Sequence, residues 1–186
     1  MKTIKLDNKD VAIATTYDDI TISQFQQILT IYNKEYDFGI DRYIETIEVL
    51  SDLKREEIEQ LDLDLFEEII HSIEINEAFD FEKKFINEIE VDGVKFKTTS
   101  DGNSYKFNVK EMFMIQTLLT RKPDEYINDL AAIVFKEVDE DGKIINDYSI
   151  EAIEKRKEML KDIKMITLGG YLMSLSEYFL NRKNVK

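Results

Sequence analysis

The sequence predicts an α+β fold, predominantly α-helical, with about six to seven helices, a short N-terminal hairpin and a small central antiparallel sheet. Three observations predict it. Apolar residues recur at helical spacing over most of the 186 residues, the period switches to alternation after Phe85, and the breakers (1 proline, 6 glycines) are few. Hydrophobic residues at 43% and aromatics at 11% are enough for a packed core. The expected organisation is a single domain over residues 1–186, or two lobes, an acidic helical one over 1–84 and a hairpin-plus-helix one over 85–186.

Each element has a local reason. Lys2–Leu6 and Val11–Ala14 flank Asp7-Asn8-Lys9-Asp10, the pattern of a hairpin or of two extended segments. Thr21 and Gln24 have capping-box spacing, and Ile20 with Phe25 that of a hydrophobic staple, so a helix starts at Ile22 with Phe25, Ile28, Leu29 and Tyr32 inward. Gly39 ends a loop, and Asp41 is placed to cap a helix carrying Tyr43, Ile44, Ile47 and Leu50. Ser51–Leu61 reads as a short polar helix. Asp62 caps the next, where Phe66, Ile69, Ile70 and Ile73 fall at i, i+3, i+4 and i+7.

Ile89 and Val91, the turn Asp92-Gly93, then Val94 and Phe96 make a hairpin. Asp101-Gly102-Asn103 reads as another turn, with Tyr105 and Phe107 extending the sheet. Asn108 and Glu111 are a second cap pair, opening a helix through Met112, Phe113, Ile115, Leu118 and Leu119. Pro123 suits the first turn of the following helix, which is apolar on two sides and therefore central. After an acidic turn at Asp139–Gly142, Ile150–Ile163 is amphipathic and Met165–Leu180 strongly apolar. Gly169-Gly170 there marks a kink, a close backbone crossing or the true start of the last helix.

Charge excludes one class of partner. The net charge is −14, and residues 1–90 hold all of it, with 9 Lys/Arg against 23 Asp/Glu, while residues 91–186 carry 16 of each. Nucleic-acid affinity depends on Lys and Arg displacing counterions, so direct DNA or RNA binding is not expected. With 0 cysteines there is no disulfide framework and no thiolate zinc site, which fits a reducing compartment. The opening Met1-Lys2-Thr3-Ile4-Lys5-Leu6-Asp7 turns polar too early for a signal peptide. A bilayer span needs roughly 20 apolar residues, and Lys164 and Glu177 bound the C-terminal apolar run short of that.

Catalytic and metal chemistry find little support. His71 is the single histidine, set among Ile69, Ile70 and Ile73, and reads as structural. Glu137-Val138-Asp139-Glu140-Asp141-Gly142 mimics an EF-hand loop, but its twelfth place is Tyr148, which cannot supply the bidentate carboxylate. The carboxylates from Glu56 to Glu68 fall mostly opposite the apolar face, as on a solvated helix. No catalytic residue, cofactor site or metal site is assigned.

Three segments together resemble a known group: Asp19-Ile20-Thr21-Ile22-Ser23-Gln24-Phe25, the hairpin leading to the Asn108 helix, and the helix from Ile163 to Leu180. Their order is similar to small virion structural proteins and tail-assembly chaperones of crAss-like and related tailed bacteriophages. The resemblance implies a non-enzymatic protein made in the bacterial cytoplasm. It would be held in the virion at the portal, neck or tail, or packed as cargo; the alternative is a cytosolic assembly chaperone. Its partners would be other phage structural proteins and further copies of itself. The acidic first half and the basic Arg182, Lys183 and Lys186 suggest head-to-tail contact between copies, with Tyr171, Leu175, Tyr178 and Phe179 as the apolar part of the interface.

Overall fold

The computed structural model describes residues 1–6, 9–75, 85–99 and 106–183, with Pro123 and 176–183 described by backbone alone. Strands β1 (Lys2–Leu6) and β2 (Lys9–Ile13) form an antiparallel hairpin in which Ile4 faces Val11. Four helices follow: α1 (Ile22–Asn33), α2 (Gly39–Leu50), α3 (Arg55–Ile58) and α4 (Leu63–Ser72). A second hairpin, β3 (Glu88–Val91) and β4 (Val94–Lys97), leads to α5 (Val109–Leu118) and α6 (Pro123–Val134). The chain ends with β5 (Lys136–Glu137), α7 (Ile150–Leu160) and α8 (Ile166–Lys183). The class is α+β and mostly helical as expected, with eight helices among the described residues.

Local chemistry sets the helix starts. The Thr21 hydroxyl accepts from Gln24 N–H at 3.1 Å, and Gln24 Oε1 accepts from Thr21 N–H at 2.9 Å. Gln24 also donates to the Val49 carbonyl at 2.8 Å, which ties the cap of α1 to the end of α2. The Ile22 and Ser23 amides, which a helix cannot satisfy internally, donate to the carbonyls of Ile163 (3.0 Å) and Lys161 (2.9 Å). The start of α1 is thereby docked on the joint between α7 and α8. Asp92 (φ 50°) and Gly93 (φ 78°) both adopt the left-handed region that a primed hairpin turn requires.

Several expectations need correction. Asp41 lies inside the first turn of α2, whose N-cap is Phe38, and it pairs with Arg55 instead of capping. Asp62 is the N-cap of α4 but makes no side-chain cap bond. The third strand of the sheet is Lys136–Glu137, paired with Phe96 and Lys97, whereas Phe107 lies outside it. Two charged residues show no alternation, so their pairing could not be read locally. Tyr105, the turn Asp101-Gly102-Asn103 and the turn residues Asp7-Asn8 lie outside the described residues. The last helix runs through Gly169 and Gly170, both buried, so they do not mark its start.

One apolar cluster draws on both halves of the chain, from Ile4, Ile13 and Phe25 to Phe96, Phe135, Leu168 and Leu175. Helix α6 is central: Ile127, Leu130, Ala132 and Val134 are fully buried, and it packs against α1, α5 and α7.

Candidate functional site

The expected interface on the last helix is the first to be placed. Tyr171 is 0% exposed and Leu175 2%, so both belong to the protein's own core and are withdrawn from the interface. The Tyr171 hydroxyl donates to the Ile86 carbonyl at 2.6 Å and lies 3.0 Å from Thr98 Oγ1. Its ring packs edge-on against Phe135 and Phe85. A strongly apolar helix reads the same whether a partner or its own core covers it, and here the core does. Tyr178, Phe179, Arg182, Lys183 and Lys186 lie outside the residues whose side chains are described.

A different surface carries exposed apolar groups. On α5, Ile115 and Leu118 point inward, whereas Val109 (88% exposed) and Phe113 (71%) face solvent one turn apart. At about 100° per residue they fall on the side of the helix away from Ile115. Ile150, at the start of α7, is 78% exposed. Between α5 and α7, with α6 as floor, runs a groove of about 380 Å³ lined by Phe113, Met114, Leu118, Ile133 and Ile153. One end is closed by ions: Asp129 meets Lys157 at 2.9 Å and Arg121 at 3.7 Å, and Lys157 also reaches Glu154 at 3.2 Å.

A buried polar cluster fixes the two helices that wall this groove. Asn108 Oδ1 accepts from Glu111 N–H (2.9 Å), and Glu111 Oε2 accepts from Asn108 N–H (2.8 Å), completing the cap of α5. Glu111 Oε1 accepts from the Lys136 ammonium and from the Tyr148 hydroxyl (2.8 Å). The Asn108 amide in turn donates to Tyr148 at 3.0 Å. Glu111 and Lys136 are both fully buried, a placement tolerated only because each charge has its counter-charge and hydrogen bonds. Burial pushes the Tyr148 phenol up to about 12; the Asn108 bond lowers it, and the Glu111 carboxylate raises it further. The phenol therefore stays neutral and donates.

Arg156, also buried, donates to the carbonyls of Ala132 (2.8 Å) and Asp147 (2.8 Å), clamping α7 to α6 and to the segment before Tyr148. The Asn108–Tyr148 bond ties the start of α5 to the segment that leads into α7. The sequence reading recognised the Asn108–Glu111 cap but not the face it supports. The available signal was apolar Val109 and Phe113 opposite the Ile115–Leu118 stripe.

The other sequence candidates are also placed. His71 faces solvent in the last turn of α4. Asp139 Oδ1 accepts from the amides of Asp141 (3.0 Å) and Lys143 (2.8 Å), so its carboxylate serves the turn itself. The carboxylates at Glu56, Glu57, Glu59, Asp62, Asp64, Glu67 and Glu68 are all exposed. Among the described residues no cluster of His, Asp and Glu is arranged to hold a metal ion, and no helix is long and apolar enough to cross a membrane. No family model, curated protein or solved structure matches the chain.

Proposed function

We propose that this chain is a non-enzymatic structural protein of a tailed phage particle, associated with the portal, neck or tail or packaged as cargo, and acting through protein–protein contacts. The phage assignment rests on the resemblance of the three segments described above. The contact assignment is supported by one observation: Phe113 stands in solvent at a groove of mixed apolar and charged lining between α5 and α7, with α5 braced by the buried Glu111–Lys136 pair and α7 by Arg156. A large aromatic side chain left in solvent at the edge of a groove is a common feature of binding surfaces. The acidic surface of residues 1–90 suits a protein that touches other proteins and not the packaged genome.

Quantitative mass spectrometry of purified particles tests the reading. The expected result is a defined number of copies per particle. Recovery from the lysate alone, with none in the particles, supports the assembly-chaperone reading instead.

A further inference from the structure

We propose that Arg42, held between two tyrosine rings with its guanidinium unpaired, is a docking site for a carboxylate of a partner protein. This deepens the contact reading above and rests on it, at a surface separate from the α5–α7 groove.

Among the described residues, Arg42 makes no hydrogen bond and no ion pair, whereas Arg55, Arg121 and Arg156 each donate to carboxylates or carbonyls. Carboxylates are not scarce around it, since residues 1–90 hold 23 Asp/Glu against 9 Lys/Arg. Those beside it in sequence are engaged elsewhere. Asp41 pairs with Arg55, and Glu45 accepts from Lys34 at 2.6 Å and from the Tyr36 hydroxyl at 2.9 Å. The fold therefore spends its neighbouring anions on other cations and leaves this arginine without a counter-charge.

The unpaired side chain is nonetheless fixed. Its guanidinium carbon lies 5.9 Å from the centre of the Tyr32 ring, on α1, and 5.7 Å from that of Tyr36, in the α1–α2 loop. The bond from Tyr36 to Glu45 anchors the second ring in turn. Stacking supplies no hydrogen-bond acceptor. Nε is buried without one, which costs stability, and the other guanidinium nitrogens reach the surface. A planar fork with its orientation set and its donors unused is preorganised for a carboxylate, which accepts two parallel N–H bonds from arginine.

Two features select a protein as the source of that carboxylate. Phe38 stands 70% exposed one helical turn before Arg42, so an apolar side chain flanking the incoming acid has a surface to cover. Aromatic and arginine side chains are also the ones that dominate protein–protein affinity. A polyanion such as nucleic acid would bring many phosphates against the acidic excess of residues 1–90, whereas a single carboxylate brings one charge to one guanidinium.

NMR of the isotope-labelled full chain follows the Arg42 Nε–H signal directly. The probes are the peptide acetyl-Leu-Glu-Leu-amide, the same peptide with glutamine in place of glutamate, and inorganic phosphate. The glutamate peptide is expected to shift the signal saturably at roughly millimolar concentration, and the glutamine peptide and phosphate to bind at least about tenfold more weakly. Arg42→Lys keeps the charge but loses the fork, and should weaken the glutamate peptide about tenfold as read from the backbone amides of α2. If that variant fails to fold, the glutamine peptide carries the same test on the unaltered chain. A glutamate peptide that leaves the Arg42 signal unmoved overturns the proposal. So does equal binding of the glutamine peptide, which makes the contact apolar only, or equal or tighter binding of phosphate, which makes the site one for phosphate. A chain that binds the glutamate peptide but is absent from purified particles sinks the proposed function and leaves this site standing; a chain present in particles whose Arg42 ignores the peptide does the reverse.

Discussion

Replacing Lys136 with methionine isolates the contribution of the buried charge pair. Methionine matches the length of the lysine stem, so packing changes little, but the Glu111 carboxylate loses its ammonium partner while keeping the Asn108 amide and the Tyr148 hydroxyl as donors. Both partners are 0% exposed, so water cannot replace the lost ammonium without opening the core. Removing one member of a buried ion pair costs about 3–5 kcal/mol. We expect the low end, about 3 kcal/mol, because two hydrogen bonds survive. In a chain of 186 residues that corresponds to a fall in Tm of roughly 6–12 °C. Urea unfolding followed by circular dichroism measures it, with no thiol chemistry to interfere. The double variant Glu111→Gln, Lys136→Met leaves no buried charge and should lose less than the two single changes summed. A single Lys136→Met within 1 kcal/mol of wild type, or strict additivity in the double, would refute the idea that this pair braces α5 against β5.

Three further outcomes follow from the geometry. Thr21→Ala removes one arm of the first capping box and should cost about 1 kcal/mol in urea unfolding, while Gln24→Ala, which also loses the Val49 bond, should cost more. Partial burial raises the pKa of Asp19, but bonds from the Met1 ammonium, the Thr15 and Thr16 amides and the Thr16 hydroxyl outweigh it and hold the carboxyl at about 2, below its ordinary 3.8. A depressed carboxylate stabilises the fold above its unfolded value and loses that contribution as pH falls through the folded one. Asp19→Asn should therefore flatten the acid limb of stability between about pH 4 and pH 2. Tyr171→Phe strips the Ile86 carbonyl of a donor inside the core and should destabilise the fold by about 1–3 kcal/mol without changing self-association; a change in association with unaltered stability would return Tyr171 to the interface.

Much of the fold was legible because its signals are local. A threonine and a glutamine three residues apart, an asparagine and a glutamate three apart, and Asp-Gly between alternating residues each carry their own hydrogen bonds or backbone preference. What stayed hidden depends on partners distant in sequence. Lys136 lies 25 residues from Glu111, and nothing in the sequence around Lys136 announces that this lysine is buried. Strand β5 exists only because β4 offers it an edge. The site was legible in kind, as an apolar surface, and misplaced in position. Tyr171 and Leu175 read as sticky because their helix is apolar, whereas Phe113 was absorbed into the inward stripe of α5. Spacing alone puts Phe113 opposite Ile115, whereas the burial of Tyr171 depends on Phe85, Phe135 and Ile86, partners distant in sequence.

The central claim is that this chain is built into a particle through the α5–α7 face. Co-expressing wild type and Phe113→Gln at equal levels, each with a distinguishable mass, and counting both in purified particles tests it most directly. The account predicts that wild type is recovered in defined copy number with the variant depleted about tenfold. Equal recovery of the two, or recovery of neither, would contradict it.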